Sequence, residues 1–161
     1  MKSSRYLLLG FTLLFYSACD ILNIRNPDDT AKLFCIGSYT FGSVTRDSVF
    51  FTEDNIKWFD TTTNQLRLND SLKLNDLKYF SNFKFYLGTD SLFTARLATD
   101  IMSSIVDDLV LHFNYRDGNV YLEDGYPLQF NDSLRTANKE KRTANRTRFI
   151  ERLEKDGKIQ R

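Results

Sequence analysis

Between Lys32 and Phe130 the chain alternates apolar and polar positions in the way half-buried strands do. Leu66 and Leu68 alternate with Gln65 and Arg67, and Phe83, Phe85 and Leu87 alternate with Lys84 and Tyr86. Phe93, Ala95 and Leu97 share one side of "SLFTARLA", and Leu109, Leu111, Phe113 and Tyr115 share one side of "DLVLHFNY". Period-two patterns of this kind predict antiparallel strands with one covered face. "LFCIGSYTF", Leu33–Phe41, adds an apolar and aromatic run with few helix formers. Gly88-Thr89-Asp90 and Asp117-Gly118-Asn119 separate consecutive runs and predict hairpin turns, the second leading into a strand from Asn119 to Glu123.

Three segments break that period. "TEDNIKWF" has Thr52 as a cap, acids in its first turn, and Ile56 and Phe59 three apart, which predicts a short helix. "DIMSSIVDDL" places Ile101, Ile105 and Leu109 four apart behind Asp100 and predicts another. From Ser133 onward the chain has no proline and is rich in Lys, Arg, Glu, Ala and Leu. Leu134, Ala137, Ala144, Phe149, Ile150 and Leu153 trace a narrow apolar stripe, and Gly157 is placed to stop a helix over 133–157. The expected fold class is therefore α+β, an antiparallel β-meander sheet packed by a long basic C-terminal helix. No strand–helix alternation and no Gly-rich strand-to-helix turn supports a doubly wound nucleotide fold.

Charge sharpens this picture. Residues 133–161 hold ten basic and four acidic side chains, residues 1–18 hold two basic ones, and the whole chain is +1, which leaves −7 on residues 19–132. An acidic body thus carries a basic tail. A net charge near zero supplies no global field to select nucleic acid. The basic helix could meet anionic headgroups, or it could be a solvated face laced by pairs such as Glu151–Lys155.

The first residues carry a different message. Lys2 and Arg5 precede an uncharged apolar run of 11 residues, Tyr6–Tyr16, and Ser17 and Ala18 stand before Cys19. This is the layout of a secretory signal peptide, and the run is about half the ~20 residues a spanning helix needs. A buried N-terminal helix in a cytosolic protein is the competing reading. Tyr16-Ser17-Ala18-Cys19 resembles the lipobox of bacterial lipoproteins, with Tyr16 where that family has an aliphatic residue. The resemblance implies a diacylglyceryl thioether on Cys19, cleavage just before it, and removal of residues 1–18. The style of the whole chain is similar to small Bacteroidetes envelope lipoproteins. Residues 19–31 then form the lipidated cysteine and a short tether, whose first ten residues reach about 30 Å. Residues 32–161 form a single domain. Of the two cysteines, Cys35 is left alone in "KLFCIG", in the setting of an inert core thiol.

Candidate chemistry is sparse. The one histidine, His112, lies on the polar side of its strand, away from any GxSxG or cysteine, so no nucleophilic catalytic set and no catalytic residue is expected. One histidine and one cysteine make a structural zinc site implausible, and neither metal nor cofactor is expected. Asp117, Asn119 and Glu123 are evenly spaced but lack the glycine-centred calcium loop, so turn chemistry explains them. The acid pairs Glu53-Asp54 and Asp107-Asp108 fit element boundaries. Trp58, Tyr79, Tyr121 and Tyr126 are the aromatics that could serve as a sugar platform, although core packing is the commoner use. Asp followed by Ser or Thr recurs at Thr30, Ser48, Thr61, Ser71, Ser91 and Ser133. It resembles the O-glycosylation signal of exported Bacteroidetes proteins, and it is equally a common turn boundary.

The expected function is a lipid-anchored envelope lipoprotein with a non-catalytic binding or structural role, on the outer membrane or the periplasmic face of a membrane. Its partners would be the membrane, through the N-terminal lipid, and an envelope protein or glycan, without nucleic acid. The alternative is a glycan-binding or glycan-processing envelope protein using carboxylates and exposed aromatics.

Overall fold

A computed structural model of the chain describes residues 31–69, 77, 79–127 and 133–161. Lys32–Arg161 form one compact unit, a nine-stranded sheet with a single long helix at its C-terminal end. The strands are β1 (Leu33–Phe41), β2 (Val44–Thr52), β3 (Ile56–Asp60), β4 (Gln65–Leu68) and β5 (Phe80–Leu87). They continue with β6 (Asp90–Thr99), β7 (Val106–Asn114), β8 (Asn119–Tyr126) and β9 (Ile159–Gln160), while α1 spans Ser133–Lys155. The order across the sheet is β2-β1-β5-β6-β7-β8-β4-β3-β9.

The expected meander is not what forms. β6 and β7 run parallel, and so do β3 and β9, so the sheet is mixed. The two hairpin turns are present, joining β5 to β6 and β7 to β8 in antiparallel pairs. The segment expected as a helix over Asp100–Leu109 is instead a six-residue return, 100–105, followed by the start of β7. Helical spacing of Ile101, Ile105 and Leu109 has no buried face behind it here, because Ile101 and Ile105 are exposed. "TEDNIKWF" keeps its Thr52 cap but makes only one turn, Glu53–Asn55, before β3 begins. Asn55 closes that turn by accepting from the Thr52 N–H at 2.9 Å.

The ring of Phe149 fixes the shape of the sheet. It meets Phe59 of β3 at 5.4 Å, Phe85 of β5 at 6.0 Å and Phe93 of β6 at 5.6 Å, each near edge-on. β5 and β3 stand five places apart in the order, about 24 Å in a flat sheet. One ring touches both, so the sheet curls around α1. The inner surface carries Leu33, Cys35, Phe51, Phe59, Leu66, Phe85, Ala95, Leu111 and Leu122, all essentially without solvent contact. Phe85 packs on Phe51 and Phe93, and Phe50, Phe80 and Phe83 continue the cluster toward Gly37, against which the Phe80 ring lies. An added Cβ at Gly37 would occupy the space of that ring.

α1 ends on a Schellman motif. The Lys158 N–H donates to Leu153 O at 2.8 Å and the Gly157 N–H to Glu154 O at 3.0 Å, with Gly157 at φ +66°. The reversal delivers Ile159 and Gln160 to the edge of β3, where Phe59 N–H donates to Lys158 O.

Candidate functional site

The buried face of α1 is only partly the apolar stripe that the sequence suggests. Phe149 and Leu153 are buried, but Leu134 and Ala144 are exposed, and Arg135 is buried in their place. Arg142 and Arg146 lie on the same side, four residues apart, and turn their guanidinium groups onto carboxylates of the sheet. Arg142 pairs with Asp108 of β7 and, at 3.0 Å, with Asp124 of β8. Arg146 reaches Asp124 at 3.9 Å, donates to Asn64 Oδ1 at 2.6 Å, and lies 6.0 Å above the Phe59 ring. Burial lowers the Arg146 pKa, and Asp124 opposes that shift. Near the N-terminus of α1, Arg135 donates to Pro127 O at 3.1 Å and Val106 O at 3.4 Å, tying α1 to the start of β7 and the end of β8. Gly125, at φ +111°, leaves room for that guanidinium, and any Cβ there would overlap it.

At the other end of α1, Arg152 meets the buried carboxylate of Glu53 through two donors, at 2.7 and 2.8 Å. Glu53 also accepts from the Leu33 N–H at 3.0 Å, and its backbone oxygen accepts from Lys158 Nζ at 2.6 Å. Burial alone would raise the Glu53 pKa, but Arg152 and the Leu33 N–H together hold it down at about 2. Asp156, beside the same arginine at 3.3 Å, is pushed up by its own burial and by the charge on Glu53. Asp90 takes Arg148 at 2.8 Å. Arg142, Arg146, Arg148 and Arg152 are thus paired with acids of the strands and of the Glu53 turn, and Arg135 with backbone oxygens, so much of the positive charge of α1 meets partners inside the domain.

On the opposite side of β7 and β8 stands a second polar group. His112 is paired across the strands with Tyr121, and Val110 with Glu123. His112 Nδ1 lies 3.2 Å from Glu123 Oε2, both side chains mostly buried. Among the described residues neither His112 Nε2 nor Glu123 Oε2 makes a hydrogen bond. The imidazole is flanked by Tyr126, 4.8 Å away, and Tyr121, 6.0 Å away. Tyr126 covers a small core of Ala98, Val106 and Val110. Tyr121 donates to Asp117 Oδ2 at 3.1 Å, and the Asn119 N–H donates to Asp117 Oδ1 at 2.8 Å. Asp117 is thereby committed to the turn, and its pKa lies below the usual carboxylate value: burial raises it, and the Asn119 and Tyr121 bonds outweigh that. Burial comes first among the causes raising both tyrosine pKa values. The group can accept and donate hydrogen bonds beside two aromatic faces. No nucleophile stands with it among the described residues.

The sequence candidates scatter around these two groups. Cys19, Thr30 and Ser71 lie outside the described residues. Ser48 is exposed on β2, Ser91 on β6 and Ser133 at the start of α1. Thr61 is half-buried and donates to Gln160 O from its hydroxyl and its N–H, so the chain end occupies it. Asp60, ahead of Thr61, accepts from the Thr62 and Thr63 N–H groups at 2.7 and 3.0 Å, the turn chemistry that the tripeptide also suggests. Cys35 is fully buried, and burial raises its pKa well above the ordinary thiol value. Tyr121 and Tyr126 are brought together at His112; Trp58 sits opposite Arg67 on β3, and Tyr79 is exposed just before β5. Sequence reading missed Glu123 as the partner of His112 and missed the arginine seam. The seam had a signal: Arg135, Arg142 and Phe149 are seven apart, and Arg146 and Leu153 are too.

No family model, no curated protein and no solved structure matches this chain.

Proposed function

We propose that this protein is a lipid-anchored cell-envelope lipoprotein with a non-catalytic binding or structural role, attached through Cys19. The observation that carries the reading is the order Lys2 and Arg5, then Tyr6–Tyr16, then Ser17-Ala18-Cys19. Two features of the domain agree with it. The compact unit that holds the sheet and α1 begins at Lys32, so Cys19 stands outside it. Arg142, Arg146, Arg148 and Arg152 are paired with acids within the domain, which takes much of the charge of α1 away from headgroups and leaves attachment to the lipid. Among the described residues no helix is long and apolar enough to cross a membrane, and a lipid anchor requires none. The test is growth of the native host with an alkyne analogue of palmitate, followed by the intact mass of the purified protein. Label on a protein beginning at Cys19, lost in Cys19→Ser, is the expected result. An unlabelled protein that retains Met1 would overturn the reading.

The second reading, a glycan-binding envelope protein, is favoured by Tyr121 and Tyr126 meeting at the His112–Glu123 pair. Aromatic faces beside a carboxylate suit a sugar ring, whose C–H face stacks while its hydroxyls donate. Binding to envelope glycans that falls at least tenfold in Tyr126→Ala would establish it. If the chain is exported, Ser48, Ser91 and Ser133 are the exposed hydroxyls at which O-glycosylation is first sought.

A further inference from the structure

Parallel neighbouring strands are ordinarily joined through a dozen or more residues. β6 and β7 are parallel, with Arg96 opposite Val110 and Thr99 opposite Phe113, yet only residues 100–105 connect them. The return must therefore run extended, back along the strands it joins. Its first residues are pinned: the Met102 N–H donates to Thr99 O at 2.9 Å, and Asp100 accepts from the Tyr115 N–H at 3.0 Å. A taut segment has few conformations to lose on binding. All five residues from Ile101 to Ile105 are exposed, none is charged, and three are large and apolar. Ile101 is 78% exposed and Ile105 58%, with Met102 at 38% and Tyr115, pinned to Asp100, at 44%. Half of the large exposed apolar side chains of the described residues, Ile101, Met102, Ile105 and Tyr115, thus lie on or beside this one ridge, while the core behind it is closed by Tyr126.

We infer that this ridge, Ile101, Met102 and Ile105, seats in the surface of the bilayer that holds the lipid on Cys19. The inference rests on the anchoring reading above. Three observations select a lipid surface over another protein. The ridge is a few side chains wide, smaller than the roughly 800 Å² per partner of a stable protein interface. It bears no charge between Ile101 and Val106, and the Asp100 carboxylate accepts from the Tyr115 N–H, which sets an uncharged strip with a tyrosine near it, as interfacial segments have. The tether also reaches. Lys32 O accepts from the Gly88 N–H, which puts the start of the domain at the β5–β6 turn. β6 carries the chain about 33 Å from there to Ile101, and the segment from Cys19 to Lys32 spans at most about 45 Å. The lipid and the ridge can therefore occupy one membrane. A second contact of this kind fixes the orientation of the domain, which a lipid on a tether does not.

The test uses the full acylated protein purified from its native host and reconstituted in vesicles of phosphatidylethanolamine and phosphatidylglycerol. Ile101→Cys and Ile105→Cys are labelled with an environment-sensitive fluorophore, with Lys141→Cys on the exposed side of α1 as control; buried Cys35 and acylated Cys19 leave the new thiol as the reactive one. The expected result is blue-shifted emission at 101 and 105, quenched by nitroxide-bearing lipids, with unshifted emission at 141. Water-like emission at 101 and 105 on protein whose mass shows the acyl groups would overturn the ridge proposal and leave the anchor standing. A blue shift that nitroxide lipids do not quench would assign the ridge to a protein partner or a second copy, and would overturn it too. A mass without acyl groups on Cys19 would remove the anchoring reading and the ridge's membrane role together.

Discussion

Two regions hold the sheet to its helix, and they do so by different physics. Around Phe149 the contact is a cluster of phenylalanines from β2, β3, β5 and β6, whose attraction is short-ranged but tolerant of direction. Along Arg135, Arg142, Arg146 and Arg152 the contact is a series of guanidinium groups on carboxylates and carbonyl oxygens, tolerant of neither distance nor angle. The aromatic region supplies apolar burial. The arginine seam costs desolvation and contributes register, since each of its contacts depends on distance and direction. The difference teaches why α1 can be so polar and still pack: its arginines bring their stems to the core and their heads to partners already waiting on the sheet.

The comparison can be broken from either side. Phe149→Ala should cost about 3–5 kcal/mol, because one ring contacts three strands and its loss leaves a cavity; urea unfolding measures it. Arg152→Ala should cost about 3–5 kcal/mol as well, by leaving the Glu53 carboxylate buried without its bidentate partner, while Arg152→Ala with Glu53→Gln should recover part of that loss. Gly125→Ala should cost about 2–3 kcal/mol through overlap with Arg135 and a strained backbone, and Arg135→Ala in the same chain should relieve the overlap but not the strain. The Glu53 carboxyl lies at about 2 in the folded protein and near 4.5 when unfolded. Its contribution, up to about 3 kcal/mol, is present above pH 4.5 and is lost as pH falls toward 2, so acid should weaken wild type more than Glu53→Gln. The smallest effect should come from Lys84→Ala, whose pair with Asp47 at 3.5 Å is exposed; the loss should stay under about 1 kcal/mol and vanish in salt.

The amino-acid pattern made much of this fold legible and hid the parts that lack a period. β4 through β8 and α1 stand where alternation and composition place them, and Leu33–Phe41 is a strand throughout. β2 was invisible because Val44 through Val49 are all exposed, so no alternation marks them. The parallel pairing of β6 and β7 was invisible because a six-residue connection ordinarily means antiparallel neighbours. The arginine seam was hidden because arginine counts as polar in any hydrophobic pattern, and its burial depends on Asp108, Asp124 and Glu53, which lie far off in sequence. His112 was placed on the polar face of its strand, but its pairing with Glu123 depends on the register of β7 against β8, which strand patterns leave open.

Ion pairs from the arginines of α1 hold the helix in place on the rest of the domain. A double-mutant cycle on Arg152 and Glu53 tests this most directly, using Arg152→Met, Glu53→Gln and the double variant in urea unfolding at neutral pH. The account predicts a coupling of about 2 kcal/mol or more, since both guanidinium donors meet a buried carboxylate within 2.8 Å. Losses that simply add, within about 0.5 kcal/mol, would contradict it.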